Sequence, residues 1–280
     1  MNIELFTLIA FAGALLAGLL GALTGLGGGV VIIPLLTLGL GVDIHYAIGA
    51  SLISVMATSS GAAAAFVREG YTNIRLGMFL EVATTLGAAI GGAYLSTILP
   101  VNVIAVIFGA VLLFSAYMTT RKKGGQIQTV PISEAAARWS LNGNYPDGKQ
   151  GIINYKVQRI WGGFSMMGIA GLLSGLLGIG SGVVKVLAMD QIMKVPFKVS
   201  TTTSNFMIGV TAAASAVIYF QRGYIQAPIA APVMIGVLIG AMVGAKLLVK
   251  LQSKYLRIGF AVVVVYLAFQ MIYKGLSGQL

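Results

Sequence analysis

Two glycine-rich runs occupy matching places in this chain, Gly25-Leu26-Gly27-Gly28-Gly29 and, 153 positions later, Gly178-Ile179-Gly180-Ser181-Gly182. Each opens an apolar segment. A helix that starts on such a run leaves its first N–H groups unpaired and carries about half a positive charge at that end. Backbone chemistry of this kind suits an anion, and the candidate donors are Gly27, Gly28 and Gly29 in the first run and Gly180, Ser181 and Gly182 in the second. Small residues at such positions also let helices pack closely in lipid, so the runs have a structural reading beside the functional one.

Side chains able to join them follow each run. Ser51, in Gly49-Ala50-Ser51-Leu52, and the polar stretch Ser200–Asn205, with Thr202, Thr203, Ser204 and Asn205, bring hydroxyl and amide groups that donate to an oxyanion without burying a charge. The competing use of such hydroxyls is a bond back to their own helix carbonyls. Ser54 and Thr58 extend the first cluster at helical spacing. Lys185 stands three residues after Gly182 in an otherwise apolar run. At the centre of a bilayer it costs about 2.5–3.5 kcal/mol on insertion scales, so either it serves an anion or it snorkels to an interface. Glu81 is the only acidic residue well inside an apolar segment and is the candidate for proton coupling. Six residues beyond Arg75, it is expected to reach cytoplasmic water. Asp43 and Asp190 lie near segment ends, and His45 is expected in a loop outside the membrane. With no cysteine and one histidine, thiol chemistry and metal ligation have no residues to work with, and no cofactor is expected.

The elements that must position these groups are membrane segments. Of the 280 residues, 58% are hydrophobic and 9% charged, and mean hydropathy is +0.93. Soluble domains carry about 25% charged residues, so this chain cannot cover a surface in water. The net charge of +11 is read as Lys and Arg retained on the cytoplasmic side and not as a nucleic-acid surface. Met1–Phe11 has neither a basic leader nor a small-residue cleavage site and reads as a retained first helix.

Apolar segments fall at about 5–22 (A), 26–41 (B), 46–67 (C), 74–97 (D) and 102–119 (E), and again at about 160–177 (A′), 179–193 (B′), 199–220 (C′), 226–249 (D′) and 257–273 (E′). The halves match element for element. The 153-residue offset pairs Gly25, Gly27 and Gly29 with Gly178, Gly180 and Gly182, then without a gap Val42 with Val195, Ser51 with Ser204, Gly70-Tyr71 with Gly223-Tyr224, Gly87 with Gly240 and Gly91 with Gly244. Residues 1–120 are therefore read as one membrane repeat, 121–158 as a cytoplasmic linker and 159–280 as a second repeat. In the linker, Ser133–Leu141 reads as a short interfacial helix and the following Asn142–Tyr155 as carrying hairpin turns. Gly70-Tyr71 and Gly223-Tyr224 are expected to set loop turns with an interfacial ring.

Sidedness comes from the basic residues. With the linker inside, fifteen of the 18 are cytoplasmic, Arg222 and Lys274 fall outside and Lys185 lies within a segment. An odd number of crossings per half follows, so the repeats are inverted and both termini lie outside. The count does not distinguish spanning A and B from a hairpin that returns to its starting side. Residues 5–42 contain no ionisable side chain, which favours a glycine tip buried in protein near the midplane. The fold class is thus an all-α polytopic membrane protein of two inverted repeats of five helical segments, with Gly-tipped hairpins A/B and A′/B′ that re-enter.

The motifs GLGGGVVIIP (25–34), AIGASL (47–52) and REGYTNIRLG (68–77), repeated as GIGSGVV (178–184), STTTSN (200–205) and QRGYI (221–225), resemble those of the sulfite exporter TauE/SafE family, over nearly the whole chain outside the linker. The resemblance implies transport of sulfite or organosulfur anions such as sulfonates across the cytoplasmic membrane. The second half departs from the family pattern: GIGSG replaces a glycine triplet, no proline follows as Pro34 does, and Lys185 intrudes. Together these readings give a secondary transporter, not an enzyme, moving a small sulfur oxyanion or sulfonate by alternating access, with a passive anion channel as the alternative. Its partners are that small anion and the lipid bilayer. A lipid-phosphate hydrolase would need acids, His or Arg clustered beside the tips, where only Lys185 qualifies.

Overall fold

The computed structural model describes residues 3–24, 28–68, 70–120, 136, 138–147, 151–248 and 253–278. Ten helices follow the expected segments: α1 (Ile3–Thr24), α2 (Gly29–Pro34), α3 (Ile44–Arg68), α4 (Ile74–Ile90), α5 (Val101–Thr120), α6 (Ile160–Leu177), α7 (Gly182–Leu187), α8 (Phe197–Gln221), α9 (Ala227–Leu248) and α10 (Ser253–Ser277). α4 runs on through a π-helical turn, Gly91–Leu95, and a last helical turn, Ser96–Ile98. Between the halves, strands β1 (Gly143–Asp147) and β2 (Gly151–Tyr155) form an antiparallel hairpin in which Gly143 faces Tyr155 and Asp147 faces Gly151, as the turn signals predicted. Of the interfacial helix expected at 133–141, the described residues are helical at Ala136 and Arg138, turn at Trp139-Ser140 and irregular at Leu141; residues 133–135 and 137 lie outside them, as does Gly27.

This is an all-α membrane protein whose outer faces carry Leu86, Val217, Met242, Val262 and Phe269, each more than half exposed. Water would penalise such a surface, and lipid does not. Helix starts are set locally. Asn73 caps α4 by accepting from the Leu76 N–H at 3.0 Å, and Pro196 precedes α8, where no N–H is needed.

The second segment of each half is short. α2 has six α-helical residues and continues as five π-helical ones, Leu35–Gly39, and α7 does the same through Ala188–Ile192. At about 1.5 Å per residue each run covers roughly 16 Å, about half of a hydrocarbon layer about 30 Å thick. Proline does not cause the switch to π geometry, because Leu187 stands where the first half has Pro34. Both runs end alike: Gly41 and Lys194 have positive φ (65° and 56°), and the next N–H, of Val42 or Val195, reaches back to Leu36 or Met189 at 3.0 and 2.9 Å.

Packing follows the same offset. α1 packs along α9 and α4 along α6, α3 meets α9 as α4 meets α8, α3 crosses α8, and α5 pairs with α10. A side-chain carbon on Gly87 would overlap the Gly168 carbonyl, and one on Gly171 the Thr84 carbonyl. Shifted by 153 positions, Gly240 meets the Leu15 carbonyl and Gly18 that of Val237 in the same way. Small residues let backbones touch where lipid gives helices no hydrophobic reason to associate. Gly70 and Gly223 turn their loops with the same φ of 74°.

One core, with Ile32, Ile33, Leu36, Leu52, Phe108 and Val264, lies inside the bundle. A second, with Leu76, Leu80, Tyr145, Tyr155, Met193 and Met207, ties the hairpin to one end of the bundle. Arg222 and Tyr224, at the far end of α8, mark the other.

Candidate anion-binding site

The two glycine tips meet beside the α3/α8 crossing. Ser51 on α3 donates to the Gly178 carbonyl at 2.9 Å, and a Cβ on Gly29 would stand 2.7 Å from Ser51 Oγ and 3.3 Å from the Gly178 oxygen. Across the offset, Ser204 donates to the Gly182 carbonyl at 3.2 Å. Val55 crowds Gly29, and its counterpart Ile208 crowds Gly182. In this conformation the protons of Ser51 and Ser204 are therefore given to tip carbonyls, and these serines keep only lone pairs for another partner.

The second tip is built differently from the first. Gly178, Gly180 and Ser181 all have positive φ, 66°, 70° and 47°. For serine that backbone is strained, and the corresponding Gly28 has a φ of −68°. Ser181 is the N-cap of α7 yet makes no side-chain capping bond. Its buried Oγ has no hydrogen-bond partner among the described residues, nor has Ser174 Oγ on α6.

One helical turn after Ser181, on the same face, Lys185 is 0% exposed, so its ammonium does not snorkel. Nζ donates to Thr211 Oγ1 at 2.5 Å, and Thr211 Oγ1 lies 2.6 Å from Glu81 Oε1 and 2.9 Å from the Met207 carbonyl. Thr85 donates to the same Glu81 oxygen at 3.2 Å. Glu81 is 5% exposed, so it does not reach water as expected: its turn of α4 is covered by α6 and α8. Its Oε2 has no partner among the described residues. An ammonium brings three donors, and among the described residues one is used. Sequence reasoning missed Thr211, although it is the offset partner of Thr58 and lies seven residues, two helical turns, beyond Ser204.

The other predicted donors are divided. Thr202 donates to the Tyr71 carbonyl at 2.9 Å, and Thr203 accepts from the Asn73 N–H at 3.1 Å. Asn73 Nδ2 in turn donates to the Leu141 carbonyl at 2.9 Å and to Tyr155 Oη at 2.8 Å. These two threonines thus tie α8 to the α3–α4 loop and the hairpin instead of lining the tip. Asn205 is half-buried beside them. Ser54 bonds back to the Ala50 carbonyl at 2.9 Å and Thr58 to that of Ser54 at 3.1 Å. His45, expected in a loop, lies instead in the first turn of α3 because Asp43 folds back onto it: Oδ1 accepts from the His45 N–H at 2.8 Å and lies 3.1 Å from Nδ1. Nε2 faces the Ser96 carbonyl at 3.3 Å. Arg222 donates to Ser96 Oγ at 2.9 Å and to the Gly92 carbonyl at 3.0 Å, which closes that end.

The helical bundle thus holds a buried ammonium and a buried carboxylate beside two half-length helices, and comparison with known proteins makes it a membrane transporter. The chain belongs to the Sulfite exporter TauE/SafE family, whose sequence profile matches residues 10–271. It is 28% identical over 269 residues to the probable membrane transporter protein YunE of Bacillus subtilis (strain 168), covering 94% of this chain and 96% of that one. To the probable membrane transporter protein YdhB of the same organism it is 26% identical over 222 residues, 79% of this chain and 80% of that one. No solved structure matches.

Proposed function

We propose that the protein is a secondary transporter of the cytoplasmic membrane that carries a small sulfur oxyanion or sulfonate by alternating access. The observation that carries this reading is Lys185, a buried cation with one hydrogen-bond partner among the described residues, one turn from the Ser181 hydroxyl, which has none among them. A buried polar group without a partner costs about 1–3 kcal/mol, more when charged, and an anion seated between them supplies the missing partners. The first turns of the two short helices, at Gly28–Gly29 and Gly180–Gly182, would supply backbone N–H groups beside it, Ser51 and Ser204 tie the second tip to α3 and α8, and Thr202 and Thr203 fix the adjoining stretch of α8. Glu81 couples the cycle to protons.

Residues 1–120 and 159–280 act as inverted repeats joined by a cytoplasmic linker at 121–158, with both termini outside. Three things support this: the reciprocal helix pairing, the glycine contacts that recur at the 153-residue offset, and half-length helices that suit re-entrant tips. Rocking of one repeat against the other would expose the site to each side in turn. The test is uptake into liposomes holding the purified protein, with sulfite, thiosulfate, sulfoacetate, taurine and sulfate offered in turn. Saturable uptake of sulfite or a sulfonate is expected. Uptake of none of the five contradicts the reading.

A further inference from the structure

We propose that Glu81 is a built-in stand-in for the transported anion, so that each monovalent anion bound at Lys185 brings one proton onto Glu81. The inference rests on the anion-carrier reading with its proton coupling and adds the stoichiometry and the preferred substrate charge.

In the structure Lys185 has no contact with bulk water, and its charge is balanced through the Thr211 hydroxyl by Glu81. Thr211 sits between them as acceptor from one and donor to the other. An anion that takes the unspent Lys185 donors puts two negative charges beside one positive charge in a low-dielectric interior. Like charges so placed disfavour each other's ionised form, and a solvent proton on Glu81 removes the conflict. The proton has a place to go, because Glu81 Oε2 is buried and has no partner among the described residues. The step balances: a hydronium gives its proton to Oε2, the carboxylate becomes a neutral acid, and Lys185 keeps its charge for the anion. Site and cargo then cross with no net charge beyond the empty state. A divalent anion leaves one charge unbalanced and is disfavoured.

The other groups facing Glu81 do not replace this role. From α8 comes Thr211, with the titratable Lys198 and Tyr219 near that helix's two ends; α7 brings Lys185; α6 carries no titratable residue; and on α4 itself stand Thr84 and Thr85, with Arg75 in the first turn. The arrangement belongs to one side only. At the offset positions of Lys185 and Glu81 stand Ile32 and Met234, so one charge pair serves the whole molecule.

The test is ethanesulfonate binding to the purified protein between pH 5 and pH 8, a range in which the sulfonate itself does not titrate. The wild type is expected to lose affinity as pH rises, about tenfold per unit wherever free Glu81 is ionised. In Glu81→Gln, whose side chain mimics the protonated acid, that slope is expected to vanish. Affinity that is flat with pH in the wild type overturns the proposal while leaving the carrier reading intact. A slope that persists in Glu81→Gln overturns it too, because the proton then belongs to another group. If neither ethanesulfonate nor sulfite binds the wild type at any pH, the carrier reading fails and takes the proposal with it. Should the variant not fold, infrared difference spectra of the wild type decide: a carboxylic-acid band that appears when ethanesulfonate binds supports the proposal, and its absence overturns it.

Discussion

Lys185 and Glu81 are joined by a single hydroxyl: Thr211 Oγ1 lies 2.5 Å from the ammonium and 2.6 Å from the carboxylate. The three side chains come from α7, α8 and α4, so the chain of contacts ties elements of both halves. Breaking a buried pair by removing one member costs about 3–5 kcal/mol, because the remaining charge is left alone, whereas replacing both can be neutral.

Lys185→Met should therefore lower the melting temperature and weaken anion binding more than tenfold. Adding Glu81→Gln should restore the melting temperature but not the binding. Thermal unfolding with and without sulfite separates the two effects. Equal stabilisation by sulfite in wild type and Lys185→Met removes the lysine from the site.

Gly87→Val and Gly240→Val place a branched side chain against the backbone carbonyls of Gly168 and Leu15. Overpacking of this kind costs about 1–3 kcal/mol or more. The two substitutions should reduce the yield of folded protein to a similar degree, since the contacts correspond. Size-exclusion profiles of the detergent-solubilised variants measure it, and a normal profile for either one speaks against the close approach.

Much of this fold was legible along the chain. Hydropathy placed α6 at its observed bounds and most other segments within a few residues, and the Gly-Tyr pairs at 70–71 and 223–224 located two left-handed turns. The offset that aligned Gly87 with Gly240 reappears as a packing contact. What hydropathy does not carry is direction around a helix axis. Glu81 looked close enough to Arg75 to reach water, yet its face of α4 turns toward α8. Thr202 and Thr203 looked like part of one polar run with Ser204, but successive helical residues point about 100° apart, so they meet the α3–α4 loop while Ser204 meets the tip. Thr211 was hidden for the same reason, its role depending on which face of α8 meets α7.

The absence of cysteine makes sidedness directly measurable. Ile152→Cys in the exposed hairpin should react with a membrane-impermeant maleimide only from the cytoplasm, and Arg222→Cys only from outside. Labelling of both from one side contradicts the inverted arrangement.

Hairpin docking should weaken in alkali. Burial pushes the Tyr155 hydroxyl up to about 12, against a partial opposing effect of the Asn73 hydrogen bond. A raised value means that the folded protein holds this proton more tightly than the unfolded chain, whose tyrosine titrates near pH 10. The stability linked to it is thus complete below about pH 10 and falls as pH rises toward about 12. Tyr155→Phe should cost about 1 kcal/mol at neutral pH and flatten that alkaline fall. Trp139, which packs edge-on against Phe79 at 5.0 Å, reports the change by its emission in a Trp161→Phe background.

Counterflow tests the central claim, that this is an anion carrier working through Lys185. Liposomes holding the protein are loaded with unlabelled sulfite and diluted into a trace of labelled sulfite, and the same is done with ethanesulfonate. The predicted result is a transient accumulation of label above its equilibrium level for at least one of the two, saturable in the unlabelled anion and lost in Lys185→Met. Label that rises only to equilibrium, at a rate linear in concentration and unchanged by Lys185→Met, would show a passive pore and contradict the account.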